Sequence, residues 1–139
     1  MHKKILLGLD GSQGSFKALE EAVALAREFG AELHTMSVEE VPHFPGTVGE
    51  VAETKDLADH KFHDAIVQAK AVAQRGGVAI QSHVIVGHEV KTILEFIKSH
   101  GFDLLVIGFM GHSAIYDRMM GSTCQSLVRM APCNVLVVK

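Results

Sequence analysis

The chain has 139 residues, one domain's worth and enough for a single hydrophobic core. Apolar residues make up 47% of it, which excludes an intrinsically disordered chain. Its 13 basic and 16 acidic side chains give a net charge of −3, and with no basic stripe and no charged tail, nucleic acid is not an expected partner.

At the amino end, Met1-His2-Lys3-Lys4 leads into only a short apolar stretch before Asp10, so a signal peptide is not expected. The first apolar run, Ile5–Leu9, ends on Asp10-Gly11-Ser12. A helical segment follows, with Leu19, Ala22, Val23, Ala26 and Phe29/Gly30 on one face and Gly30 as its stop. The second run is Leu33–Val38. Residues 39–49 carry Pro42, Pro45, Gly46 and Gly49 and read as the longest irregular loop, over the carboxyl edge of a sheet. The second helix aligns Ala58, Phe62, Ala65, Ile66, Ala69, Val72 and Ala73, and Gly76 closes it. In the third run, Val78–Val86, the polar Gln81, Ser82 and His83 interrupt the apolar pattern, as in an edge strand. The third helix repeats Val90, Ile93, Leu94 and Ile97 and stops at Gly101. The fourth run is Leu104–Ile107, a helix-compatible segment covers Cys124–Met130, and the fifth run is Val135–Val138.

Runs this short suit strands, and four of them are nearly continuous rather than alternating, which marks strands covered on both faces of a parallel sheet. Strand–helix–strand units of parallel sheets turn right-handed. The expected fold is therefore α/β: a doubly wound, five-stranded parallel sheet of order 3-2-1-4-5 with helices on both faces. This is a three-layer, Rossmann-like single domain over residues 1–139. No apolar run approaches the roughly 18 residues of a bilayer span, so no membrane partner is expected. Cys124 and Cys133 are too few for a disulfide scaffold and read as small buried hydrophobes. A cytoplasmic location follows as an expectation. An apolar last strand at a sheet edge calls for a cover, and a second subunit is a natural one; helices over its faces are the plainer alternative.

The segment richest in chemistry is Gly108-Phe109-Met110-Gly111, nine further residues, then Gly121-Ser122-Thr123. It joins a strand's carboxyl end to a helix's amino end, where unpartnered N–H groups and the helix dipole favour an anion. Gly121 would let a phosphate approach the backbone, and Ser122 and Thr123 could add hydroxyl donors. Two plainer readings compete. Ser122 and Gln125 have the spacing of a capping box, and Gly108 and Gly111 could be turn residues. The loop is neither a P-loop nor a tight G-x-G-x-x-G turn. In the expected strand order, Asp10 and Gly108 flank the crevice where ligands of doubly wound sheets bind. Asp10 could there accept ribose hydroxyls or hold a metal bridging to phosphate, or it could simply cap the first helix.

The pattern G-x2-G-x9-G-[ST] at Gly108, Gly111, Gly121 and Ser122 resembles that of the nucleotide-binding universal stress protein family. Lys3–Ser12 looks like the family's first strand with its Asp, and Ser37-Val38, Val86-Gly87 and Ala131–Val138 fall at its later strand ends. The resemblance spans residues 3–139. It implies an adenine nucleotide as ligand, ATP or AMP, with Mg2+ as a possible companion and cyclic AMP as an alternative. Leu9 and Asp10 would face the nucleoside, and Val38 would meet adenine through its backbone. Ile107, Gly108 and Gly111 would line the ribose and inner phosphate. Gly121, Ser122, Thr123 and Cys124 would hold the phosphates, with His112 able to pair with one. A homodimer through Val135, Leu136, Val137 and Val138 and a regulatory role in the stress response are also implied. The family often has polar residues where Phe109-Met110 stand and a hydroxyl at the position of Cys124, so AMP or a cyclic nucleotide is favoured over ATP.

No catalytic pattern of the G-x-S-x-G or H-E-x-x-H type is present, so at most a slow ATP hydrolase is expected. A ligand-free dimerisation module is the remaining alternative. Among nine histidines, His60 and His63 share a helix face but lack the further ligands of a zinc site, and read as solvated.

Overall fold

The computed structural model describes residues 2–40, 48–109 and 121–139, with 48–54 as backbone only. The elements in chain order are β1 (Lys4–Gly8), α1 (Gln13–Phe29), β2 (Glu32–Glu40), α2 (Val48–Arg75), β3 (Ile80–Gly87), α3 (Glu89–His100), β4 (Leu104–Gly108), α4 (Ser122–Met130) and β5 (Asn134–Val138). The strands form one sheet of order β3-β2-β1-β4-β5, and every neighbouring pair is parallel. The fold class and strand order expected from the sequence are those observed.

Two cores explain why the strands read as continuous apolar runs. On one face, Ile5, Leu7, Leu104 and Val106 pack against Ala18, Leu19, Ala22 and Val23 of α1 and Ala69 and Ala73 of α2. On the other, Leu6, Leu105 and Ile107 meet Ile93 and Ile97 of α3 and Cys124 and Leu127 of α4. Successive residues of a strand point to opposite faces, so a strand covered on both sides must be apolar throughout. Each large side chain buried here contributes about 1.5–3 kcal/mol, and Ile5, Leu6, Leu7, Leu105 and Val106 are fully inaccessible. No helix among the described residues is long and apolar enough to cross a membrane.

Helix stops follow the glycines at two of three places. Gly30 and Gly101 adopt left-handed φ of 63° and 68°, and their N–H groups bond to the carbonyls of Ala26 and Ile97. After α2 the left-handed residue is Gly77, with φ 74°, and not Gly76. Gly76 instead passes close to Val23, where a Cβ would lie 2.4 Å from that side chain's Cγ1. The loop expected over 39–49 is also shorter than read. Glu39 and Glu40 continue β2, pairing with Val86 and Gly87, and α2 already begins at Val48. Residues 41–47, with Pro42, Pro45 and Gly46, lie outside the described set.

β3 and β5 are the two sheet edges, as their patterns suggested. Val135, Leu136, Val137 and Val138 are each half-buried, with Leu136 and Val138 toward α1 and Val135 and Val137 toward α3 and α4.

Candidate functional site

All five strands run the same way, so their carboxyl ends share one rim. β1 sits between β2 and β4, with α1 on one face and α4 on the other, and the chain leaving β1 therefore diverges from the chain leaving β4. The crevice so opened holds a cavity of about 310 Å³. Of the expected site residues, Leu9, Asp10, Val38, Ile107, Gly108, Gly121, Ser122, Thr123 and Cys124 all border it. Gly111 and His112 lie outside the described residues. The carboxylate at the end of β1 and the first turn of α4 thus share one cleft, at one end of the sheet.

The cleft differs at its two ends. Toward β2 its wall combines the apolar Met36, Val38, Ile93 and Phe62 with the charged Glu39, Glu40 and Lys61. Toward β4 it is lined by the backbone of Gly108 and the first turn of α4. Three helices bring their amino ends to it, and their capping separates them. In α1, Ser12 is the cap: its Oγ accepts from the Ser15 N–H at 3.1 Å. Asp10 stands one bond behind, its Oδ1 accepting from the Ser12 N–H at 2.9 Å and the Ser12 hydroxyl at 2.5 Å. The cap reading of Asp10 is corrected accordingly; the carboxylate braces the residue that caps. In α3, the Glu40 carboxylate reaches over from β2 and accepts from the Glu89 N–H at 2.8 Å.

Among the described residues, the amino end of α4 shows no such side-chain partner. Its cap position is Gly121, which has no side chain to bond the first turn. The capping-box reading of Ser122 and Gln125 fails by one position, because Ser122 is already the first helical residue. The Gln125 N–H bonds the Gly121 carbonyl at 3.0 Å as the first turn of the helix ladder. The N–H groups of Ser122, Thr123 and Cys124 precede that ladder and have no acceptor within the helix. The Gly121 N–H is less available than the sequence suggested, since it donates to the Phe109 carbonyl at 3.4 Å and ties the two ends of the glycine loop together. Burial pushes the Cys124 thiol pKa up, so the side chain stays neutral beside an anion.

Two expected residues have structural duties as well. Leu9 keeps only 2% of its surface, and its side chain belongs to the core under α1. Its N–H donates to Met36 and its carbonyl accepts from the Ser37 hydroxyl at 2.7 Å, which locks β1 to β2 at the rim. Gly108 packs on α1: a Cβ there would meet the carbonyl carbon and oxygen of Gly14 at 2.8 Å. That contact accounts for the glycine independently of any ligand.

Sequence reasoning missed Met36, Glu39, Glu40, Lys61, Phe62 and Ile93 at the cleft. Met36 could have been found, since it lies two residues before Val38 and so shares its strand face. The Lys61 ammonium bonds the Glu39 carboxylate at 2.7 Å, closing α2 onto the end of β2. His60 and His63 are exposed on α2. No group of three or more His, Cys, Asp or Glu among the described residues could hold a metal ion.

The sequence profile described as the universal stress protein family matches residues 1–139. A universal stress protein of Methanocaldococcus jannaschii is 31% identical, an alignment covering 100% of this chain and 83% of that protein. Among solved structures, a universal stress protein from Lactobacillus plantarum superposes with a TM-score of 0.85 at 28% identity, over 99% of this chain and 98% of that one. A universal stress protein solved in complex with cAMP has a TM-score of 0.77 at 24% identity, covering 99% and 97%.

Proposed function

The chain belongs to the universal stress protein family, and we propose that its cleft binds an adenine nucleotide and that the protein acts as a regulatory homodimer in the stress response. The observation that carries this reading is the amino end of α4, which has no side-chain cap among the described residues and is set in the same cleft as capped α1 and α3. Anions go where N–H groups lack partners, so the phosphates belong over Ser122, Thr123 and Cys124. The base then lies against Met36, Val38 and Ile93, and the ribose between Asp10 and Gly108. A volume of about 310 Å³ is at the lower end of the range of about 300–1,000 Å³ for small-molecule sites, which suits a mononucleotide. A protein of the same fold was solved with cAMP, which supports adenine as the base.

Hydrogen bonds to a charged group contribute about 1.5–3 kcal/mol each, whereas micromolar affinity takes about 8 kcal/mol. Phosphate contacts at one helix end therefore need help from the apolar side chains around the base. The proposed homodimer forms through Val135, Leu136, Val137 and Val138 of β5, an apolar sheet edge that a second copy would cover.

The test is direct. Nucleotide released from the denatured purified protein is identified by mass, and the stripped protein is titrated calorimetrically with AMP, ATP and cAMP, with and without Mg2+. Saturable binding of at least one adenine nucleotide, not matched by the guanine counterpart, is expected. No binding of any of the three at millimolar concentration overturns the reading.

A further inference from the structure

Far from the cleft's phosphate end, two histidines are locked ring to ring. His34 lies near the start of β2, and His83 on β3 is in register with Met36, so both side chains point toward α3. Their ring planes lie within 5° of each other, and the Nδ1 of His34 is 2.9 Å from the Nε2 of His83. Aromatic rings enclose the pair. Phe102 meets His34 edge-on at 5.0 Å, Phe96 of α3 meets His83 at 4.8 Å, and Phe96 in turn stacks on His100 at 4.1 Å. His34 is only 7% exposed, and its Nε2 has no hydrogen-bond partner.

The bond between the rings fixes how many protons they can hold. Two imidazole nitrogens at hydrogen-bond distance share one N–H, one ring donating and the other accepting. The Glu32 carboxylate lies 3.7 Å beyond the Nε2 of His34, which favours an N–H at that position and makes the Nδ1 of His34 the acceptor. His83 is then the donor through Nε2, and its Nδ1 is the open basic nitrogen. One proton can enter there with the inter-ring bond intact. A second would have to occupy the Nδ1 of His34, putting two N–H groups nose to nose, and the rings must part.

The charges around the pair disfavour even the first proton. Lys4 of β1 and His100 of α3 both oppose a positive charge on either ring, and Glu32 alone favours one on His34. Burial is the larger cause for both, and it holds the two imidazoles below the ordinary value of 6.5.

We propose that the His34–His83 pair is an acid-sensitive latch that joins β2 and β3 beneath α3, so that proton uptake loosens α3 from the sheet. The wall of the cleft lies on the same elements, since Met36 and Val38 follow His34 on its strand face and Ile93 is one turn from Phe96 and Ile97 on α3. The latch itself does not depend on what the cleft binds.

Amide hydrogen exchange of the full-length protein tests it, read as protection factors at pH 7.5 and pH 5.0. Protection of β3 and α3 is expected to fall severalfold with acid, while β1 and β4 hold theirs. His83→Gln, which keeps a donor and removes the charge, should retain the neutral-pH protection and lose most of the acid response. Equal protection of β3 and α3 in the parent at both pH values overturns the latch, as does an undiminished acid response in His83→Gln. If that variant does not fold, NMR titration of the parent's histidine rings decides. Shifts of the α3 amides in step with His34 and His83 support the latch, and rings titrating independently with unmoved α3 amides refute it.

Discussion

Gly108 lies against the backbone of Gly14 so closely that a methyl group on it would sit 2.8 Å from the Gly14 carbonyl. Neither partner has a side chain that could move aside, so the strain would fall on the end of β4 and the start of α1. Gly108→Ala is expected to destabilise the fold by about 1–3 kcal/mol, the usual cost of overpacking. Denaturant unfolding measures this without any ligand. A variant as stable as the parent would show that the two backbones are not held together.

The two serines at helix starts should behave oppositely. Ser12 caps α1 through its hydroxyl, so Ser12→Ala should cost about 1 kcal/mol of stability. Ser122 makes no cap, so Ser122→Ala should leave stability within about 0.5 kcal/mol. Its effect should instead appear in nucleotide affinity, as a loss of about tenfold for one hydrogen bond to phosphate. Gly121→Val, whose backbone φ of −61° suits any residue, should fold and lose binding altogether. Thermal unfolding and calorimetric titration of the three variants separate these effects.

Glu40 holds the amino end of α3 from the neighbouring strand. Glu40→Ala should cost about 1 kcal/mol, by analogy with loss of an N-cap, whereas Glu40→Gln keeps an acceptor and should cost less. Equal losses in the two variants would mean that the carboxylate's charge, rather than its bond to Glu89, supports the helix.

The paired histidines make stability depend on pH in one direction. The imidazoles of His34 and His83 titrate below the ordinary 6.5 in the folded chain. As pH falls through that value the unfolded chain therefore takes up protons first. Their contribution is whole above the ordinary value and is lost as pH falls toward the depressed folded values. Denaturation midpoints measured from pH 8 to pH 5 should decline across that window, and His34→Phe should flatten the decline. A profile that is flat in the parent would contradict the lowered titration of the pair.

The edge of β5 gives the last prediction. Val137 packs toward α3 and α4 yet is only half-buried in the single chain. Val137→Glu should shift the protein toward monomer in sedimentation velocity, and an unchanged profile would remove β5 as the dimer contact.

The strands were legible because burial on both faces leaves continuous apolar runs, as in Leu104–Ile107. Gly30 and Gly101 were legible as stops because a left-handed residue after a helix is most often glycine. The start of α2 was not, since Pro42, Pro45, Gly46 and Gly49 read as loop. In the candidate site, the glycine pattern pointed to the end of the sheet that holds the cavity. What it could not supply was the division of labour: that Asp10 serves Ser12, that Glu40 crosses to α3, and that Ser122 is one position too late to cap. Those outcomes depend on how elements far apart in the chain meet, and on single-residue offsets that spacing does not resolve. The histidine latch was invisible for the same reason, since His34 and His83 are 49 residues apart and become neighbours only through strand register.

The difference between the two margins of the sheet bears on how the proposed assembly through β5 would end. β3 carries Gln81, Ser82 and His83, whereas β5 is apolar from Val135 to Val138. A surface that recognises its own copy about a twofold axis is consumed once two chains have met. Joining β5 to β3 would leave a fresh margin at each step and grow a filament. With stickiness confined to one margin, the proposed β5 contact would count to two and stop.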